Sequence, residues 1–145
     1  MEYNNALQPT PEQIEETILS KEEGPIYMVN LLKFKERAEY SDGRETSLTG
    51  REAYALYGRG VVETLTDVGG SVVFGAAVAG LLVGQVDELW DDVAIAMYPN
   101  GAAMAQMFSS PKYQAIHVHR EAGLAGQLNI TTRVQGAVAG DPSGG

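Results

Sequence analysis

Tyr113, His117 and Arg120 stand at i, i+4 and i+7 in the segment after Ser110-Pro111. On a helix the three share one face and offer a phenol, a titratable imidazole and a guanidinium to one pocket. Histidine exchanges a proton near neutral pH, and arginine holds a carboxylate or enolate oxygen. The structural alternative places Tyr113 in the core, Arg120 against an acid near the helix end, and His117 half exposed. His117 and His119 invite a metal reading. Each helical residue turns about 100°, however, so the two point to nearly opposite sides. A haem ligand from His117 alone is the metal reading that this spacing leaves open.

Four further sites carry usable chemistry. Asn30 is a polar residue in the apolar run Ile26 to Phe34. A buried amide must be hydrogen-bonded, so Asn30 either orients a ligand carbonyl or braces a loop backbone. Tyr54 and Tyr57 share the inner face of a helix, where they line an aromatic pocket or serve as ordinary core phenols. Trp90 and Tyr98 flank the strand Asp92 to Met97, as a pocket rim or as cover for a core edge. Lys33 snorkels to solvent or pairs at a subunit contact. Asp91 and Asp92 are neighbours on a strand and face opposite sides, which disfavours joint acid–base work. Gly75, Gly80 and Gly84 lack the strand–loop–helix context and the lysine of a phosphate loop.

The elements that must position these residues are legible from caps and periodicity. Thr10-Pro11-Glu12-Gln13 is a capping box with proline at the first helical position, and Gly24-Pro25 closes that short helix. Ile26 to Phe34 predicts a strand with Met28, Leu32 and Phe34 on one face and Tyr27, Val29 and Leu31 on the other. Asn30 falls in the first row and Lys33 in the second. Glu36 to Leu48 is a long polar connection, a functional flap or a mobile insertion. Thr49-Gly50-Arg51-Glu52 caps a helix presenting Tyr54, Tyr57, Gly58, Val61 and Leu65, stopped by Gly69-Gly70. Ser71 to Ala79 and Leu81 to Val86 read as strand, kinked at glycine. Asp92 to Tyr98 is a strand in which Val93, Ile95 and Met97 alternate with Ala94, Ala96 and Tyr98. Pro99-Asn100-Gly101 opens a short helix, and Ser110-Pro111 opens another that runs to Ala122 and Gly123. Leu128 to Val134 is the final strand.

This order predicts an α+β, ferredoxin-like βαββαβ sheet with helices on one face. The division expected is residues 1–24 as a lead and short helix, 25–135 as the ferredoxin-like domain, and 136–145 as a flexible tail. The first strand is apolar on both faces, and helices cover only one. A second copy of the chain is the simplest cover for the other, so a homodimer is expected.

Composition narrows the function classes. The 145 residues include 10 basic and 19 acidic ones, for a net charge of -9. Nucleic acid and anionic membrane surfaces both call for a basic partner, so both are disfavoured. With no cysteine, disulfides, thiolate metal sites and cysteine nucleophiles are excluded. No basic region followed by an apolar run opens the chain, so a cytoplasmic location is expected.

The runs MVNLLKFKERAEY, TGREAYALYG, LWDDVAIAMYP and SSPKYQAIHVHREAGL, with Gly69-Gly70 between the second and third, resemble domain-of-unknown-function family 1330. The resemblance spans residues 25–133. It implies the dimeric α+β barrel superfamily, whose pockets lie between sheet and helices and whose relatives include cofactor-independent monooxygenases, lactone isomerases and haem proteins. Two readings follow. One is an enzyme of small carbonyl or aromatic compounds that works without metal or dissociable cofactor: His117 acts as base, Arg120 and Asn30 stabilise oxyanion charge, and the tyrosines shape the pocket. The other is a non-catalytic homodimer that binds a metabolite or plays a structural part.

Overall fold

The computed structural model of the chain describes residues 4–19 and 24–134. Its elements, in order, are α1 (Pro11–Thr17), β1 (Ile26–Phe34), α2 (Gly50–Asp67), β2 (Ser71–Ala77), β3 (Asp92–Tyr98), α3 (Gly101–Ser109), α4 (Pro111–Gly123) and β4 (Leu124–Thr132). The four strands form one sheet in the order β2-β3-β1-β4, with every neighbouring pair antiparallel. This is the ferredoxin-like α+β arrangement. Each helix starts where a side chain satisfies the free N–H groups of the first turn. Thr10 and Thr49 form complete capping boxes, with Gln13 and Glu52 respectively, and Asn100 and Ser110 cap α3 and α4.

The period-two alternation of β1 assigns its residues to two environments. Ile26, Met28 and Leu32 are buried beneath the helices, where Ile26 and Met28 join Tyr57, Leu65, Tyr98, Met104, Met107 and Tyr113 in the main core. Asn30 belongs to this row and pairs across the sheet with Ala94 and Asn129. Tyr27, Val29, Leu31 and Lys33 form the opposite row. There Val29 pairs with Ile95 and Ile130, and Leu31 with Val93 and Leu128. This second face is apolar and open: Phe74 is 51% exposed and Ile130 44%. Among the described residues no helix is long and apolar enough to cross a membrane.

The connection 36–48 is docked onto the fold at both ends. Its backbone is fixed by Ala38 N–H to Leu48 O, by Glu39 N–H to Ala122 O and by a bridge between Arg37 and Thr49. Ala38 and Tyr40 bury themselves against Ala53 of α2 and Ala122 of α4, in a small second core. Residues 4–10 are likewise no free lead, since Ala6 bridges to Gln127 of β4 and Leu7 and Gln8 bind side chains of α4. The strand expected over Leu81 to Val86 is absent: β2 ends at Ala77, and Leu82 and Val83 are exposed in a loop. Its apolar residues mimicked a buried strand, but no neighbour remains to pair with them. The last strand begins at Leu124, four residues earlier than expected, because Gly123 ends α4 with no intervening loop. The tail from residue 136 lies outside the described residues.

Close backbone contact between α2 and α4 requires glycine. A Cβ on Gly123 would lie 2.4 Å from Gly50 O and 2.9 Å from Tyr54 N. Both obstacles are backbone, so the helices must separate. Gly123→Ala is therefore expected to cost at least about 2 kcal/mol, read as a fall in melting temperature of roughly 5 °C. Gly58→Ala, with nothing within 4 Å of the new Cβ, is expected to leave stability unchanged or raise it by up to about 1 kcal/mol through helix propensity.

Candidate functional site

Between the sheet and helices α2 and α4 lies a cavity of about 650 Å³, within the usual range of about 300–1,000 Å³ for small-molecule sites. Small side chains make the space. β3 turns Ala94 and Ala96 toward the helices, and β2 places Val72 beside Ala96. Tyr54, Tyr57 and Val61 descend from α2, and Tyr113, His117 and Arg120 from α4. Asn30, Met28 and Tyr98 complete the floor. Residues 4–18 run across the mouth as a strap, to which Ala6, Leu7, Gln8, Ile14 and Ile18 contribute lining. A hydrogen bond of 3.0 Å between Thr17 and Thr131 ties the strap to β4.

One wall is aromatic, and its row of rings continues to Phe34 outside the lining. Ring centroids step from Phe34 to Tyr54 (5.4 Å), Tyr57 (5.3 Å), Tyr113 (6.0 Å), Phe108 (5.1 Å) and Tyr98 (6.4 Å). The Tyr57 and Tyr113 hydroxyls share a hydrogen bond of 3.2 Å. Burial pushes the Tyr54 phenol up to about 12 and raises Tyr57, Tyr98 and Tyr113 as well. At pH 7 only about one Tyr54 in 10⁵ is ionised. These phenols are neutral walls and hydrogen-bond partners, not bases.

His117 is the group suited to take a proton. Its Nδ1 lies 3.1 Å from Glu121 Oε1, one turn further along α4. The carboxylate can only accept, so Nδ1 carries the hydrogen and Nε2 keeps its lone pair. Burial lowers the imidazole below its ordinary 6.5; Glu121 opposes that shift and Arg120 adds to it. The ring is therefore neutral near pH 7. Gln8 Nε2 donates to the same Glu121 oxygen at 2.9 Å, so the strap helps to hold the carboxylate.

A polar chain crosses the floor. Arg120 donates through Nη2 to Leu7 O (2.9 Å) and to Gln127 Oε1. Gln127 Nε2 in turn donates to Asn30 Oδ1 at 2.6 Å. Asn30 Nδ2 donates to Met28 O and Ala94 O, both at 3.2 Å. Its two amide hydrogens are thus committed to backbone carbonyls. Asn30 lines the cavity as a brace and holds no donor in reserve for an oxyanion.

The structure thus brings Asn30, Tyr54, Tyr57, Tyr98, Tyr113, His117 and Arg120 to one cavity; Trp90 is not among its lining residues. The acid that the structural alternative set against Arg120, Glu121, pairs with His117. His119 turns away to the Tyr40 hydroxyl at 2.7 Å, so the two histidines serve different surroundings. Among the described residues no group of three or more His, Asp or Glu side chains is placed to hold a metal ion. Lys33 bonds Glu88 and Asp91, and Asp92 takes Arg51. Two residues escaped the sequence reading. The i, i+4 spacing to His117 signals Glu121; nothing local signals Gln127, which precedes the expected strand start at Leu128.

The model of the family described as a domain of unknown function, DUF1330, matches residues 43–134. Among solved structures, the methylated RPA0582 protein is 39% identical, with a TM-score of 0.81 over 90% of this chain and 96% of that one. The RPA0582 protein of unknown function from Rhodopseudomonas palustris is 36% identical, with a TM-score of 0.81 over 91% of this chain and 98% of that one. SnoaB, a cofactor-independent oxygenase from Streptomyces nogalater, is 11% identical, with a TM-score of 0.50 over 79% of this chain and 97% of that one, a likeness of fold alone. No curated protein matches the chain.

Removing the Glu121 charge should remove the one influence that raises His117. In proton NMR titrations, His117 is expected to titrate below 6.5 in the native protein and lower still in Glu121→Gln. His119, which faces Tyr40, serves as the internal control and should keep its midpoint. An unchanged or higher His117 midpoint in the variant would contradict the pairing.

Proposed function

The chain belongs to the DUF1330 family, and we propose that it is a cofactor-independent enzyme that takes a proton from a small aromatic or carbonyl compound in the sheet–helix cavity. The observation that carries this reading is the His117–Glu121 pair at 3.1 Å inside an aromatic cavity. A neutral imidazole, oriented by a carboxylate on Nδ1, presents Nε2 as general base. The O–H or activated C–H bond of the ligand breaks, a bond from Nε2 to hydrogen forms, and the electron pair passes to the ligand oxygen. The Arg120 guanidinium stabilises that charge. Return of the proton to another carbon completes an isomerisation. An oxygenase of the kind named for SnoaB would share this first step, with the deprotonated substrate as the reductant of dioxygen.

Deuterium exchange tests the step without knowledge of the natural substrate. The probe is 2-acetylcyclohexanone in D₂O, followed by NMR at the carbon between its carbonyls. The native protein should accelerate exchange above buffer by at least tenfold, and His117→Gln should return it to the buffer rate. Equal exchange with the two proteins would rule out His117 as base and favour the second reading, a non-catalytic binding dimer. That second reading draws on the Arg120–Gln127–Asn30 chain, which is also a sound structural brace.

Either reading includes a homodimer formed through the open sheet face. Val29, Leu31, Val93, Ile95 and Ile130 lie side by side there, and a contiguous apolar face of a sheet ordinarily needs a covering layer. Native mass spectrometry at micromolar concentration should give twice the chain mass. Ile95→Lys places a charge at the centre of that face and should shift the protein to monomer. A dimer that survives Ile95→Lys would place the contact elsewhere.

A further inference from the structure

Charge within the cavity is distributed unevenly. Arg120 is the only lysine or arginine among its lining residues, and the one lining acid, Glu16, is exposed on α1. The hydrogen-bond partners of Arg120 are a backbone carbonyl and an amide oxygen, both neutral. Nη2 alone makes those bonds, so Nη1 and Nε have no partner among the described residues. The nearby Glu121 oxygen is occupied by His117 Nδ1 and by Gln8. The influence of Arg120 reaches Tyr54, Tyr98 and Tyr113, favouring a negative charge at each, whereas Glu121 acts on Tyr113 alone among the three. Arg120 thus makes no ion pair among the described residues, and a partly buried charge of that kind is screened less than an exposed one.

We propose that the cavity takes a monoanion: a carboxylate that accepts from a free N–H of Arg120, at Nη1 or Nε, attached to an aromatic body that lies along Tyr54, Tyr57 and Tyr113. This deepens the preceding reading and rests on it for the location of the site. A charge-assisted N–H···O⁻ bond to the guanidinium is stronger than the bond a neutral carbonyl would accept there. Position follows from α4. Arg120, His117 and Tyr113 succeed one another along one face at about 1.5 Å of rise per residue, so the anion sits about one turn from the base and the aromatic body extends about 6 Å beyond it. The charge end lies beneath the strap at Leu7, and the aromatic end lies over Phe108. The ligand therefore enters with its orientation set by charge.

Isothermal titration with 2-naphthoate and 2-naphthamide tests the assignment, because the pair differ in charge and hardly in shape. The native protein should bind naphthoate at least tenfold more tightly than naphthamide, with the difference shrinking as salt rises. Arg120→Gln should abolish the preference while naphthamide binding, the report of an intact cavity, stays within twofold. Should Arg120→Gln bind neither compound, Arg120→Lys decides: a retained preference for naphthoate supports the inference, and equal binding overturns it. Equal or tighter binding of naphthamide by the native protein overturns the anion inference alone and leaves the cavity as a binding site. Binding of neither compound by the native protein overturns both the anion inference and the ligand-site reading beneath it.

Discussion

Strand β1 is hydrogen-bonded on both edges and apolar on both faces, and the rest of the molecule answers to that constraint. Paired with β3 on one side and β4 on the other, it cannot shift by one residue without exchanging its two rows. Ile26, Met28, Asn30 and Leu32 must enter the space below the helices. Tyr27, Val29, Leu31 and Lys33 must enter the other. Helices α2 and α4 exist to close the first space, and they come close enough to do so because Gly50 and Gly123 face each other without side chains. The second space is left for another layer.

The closed side is not filled. Ala94 and Ala96 on β3 supply too little volume beneath α2, and the aromatic residues line the space instead of collapsing into it. A void of that size, dry and without function, would forfeit packing attraction along all of its lining. The polar groups around it are ordered by distinct partners. The acid of α4 binds the imidazole, the guanidinium binds neutral oxygens, and the asparagine braces the strands. A base and a cation that makes no ion pair among the described residues thus reach the same cavity. The strap touches both, through Gln8 to Glu121 and Leu7 to Arg120.

Caps, strand rows and element order were legible because they depend on local chemistry. Thr10, Thr49 and Ser110 state their helix starts within four residues, and the rows of β1 follow from alternation alone. The shared face of Tyr113, His117 and Arg120 was likewise local. What was not legible depends on contacts distant in sequence. Whether residues 36–48 dock or float is decided by Ala122, some eighty residues away. The strap is held by β4 and α4, at the far end of the chain. Leu81 to Val86 has the composition of a strand but no neighbour to pair with, and composition does not report neighbours. The alternation of Ala94 and Ala96 against Val93 and Ile95 did carry the cavity in outline, since a row of small residues under a helix leaves room.

The hydrogen on Nδ1 of His117 is the point on which the chemical account turns, since it frees Nε2 for the ligand. A long-range ¹H–¹⁵N correlation spectrum of the imidazole, taken above its midpoint, reads the tautomer directly. A protonated Nδ1 and a bare Nε2 are expected for His117. A hydrogen on Nε2 would break the Glu121 pairing and contradict the assignment of His117 as base.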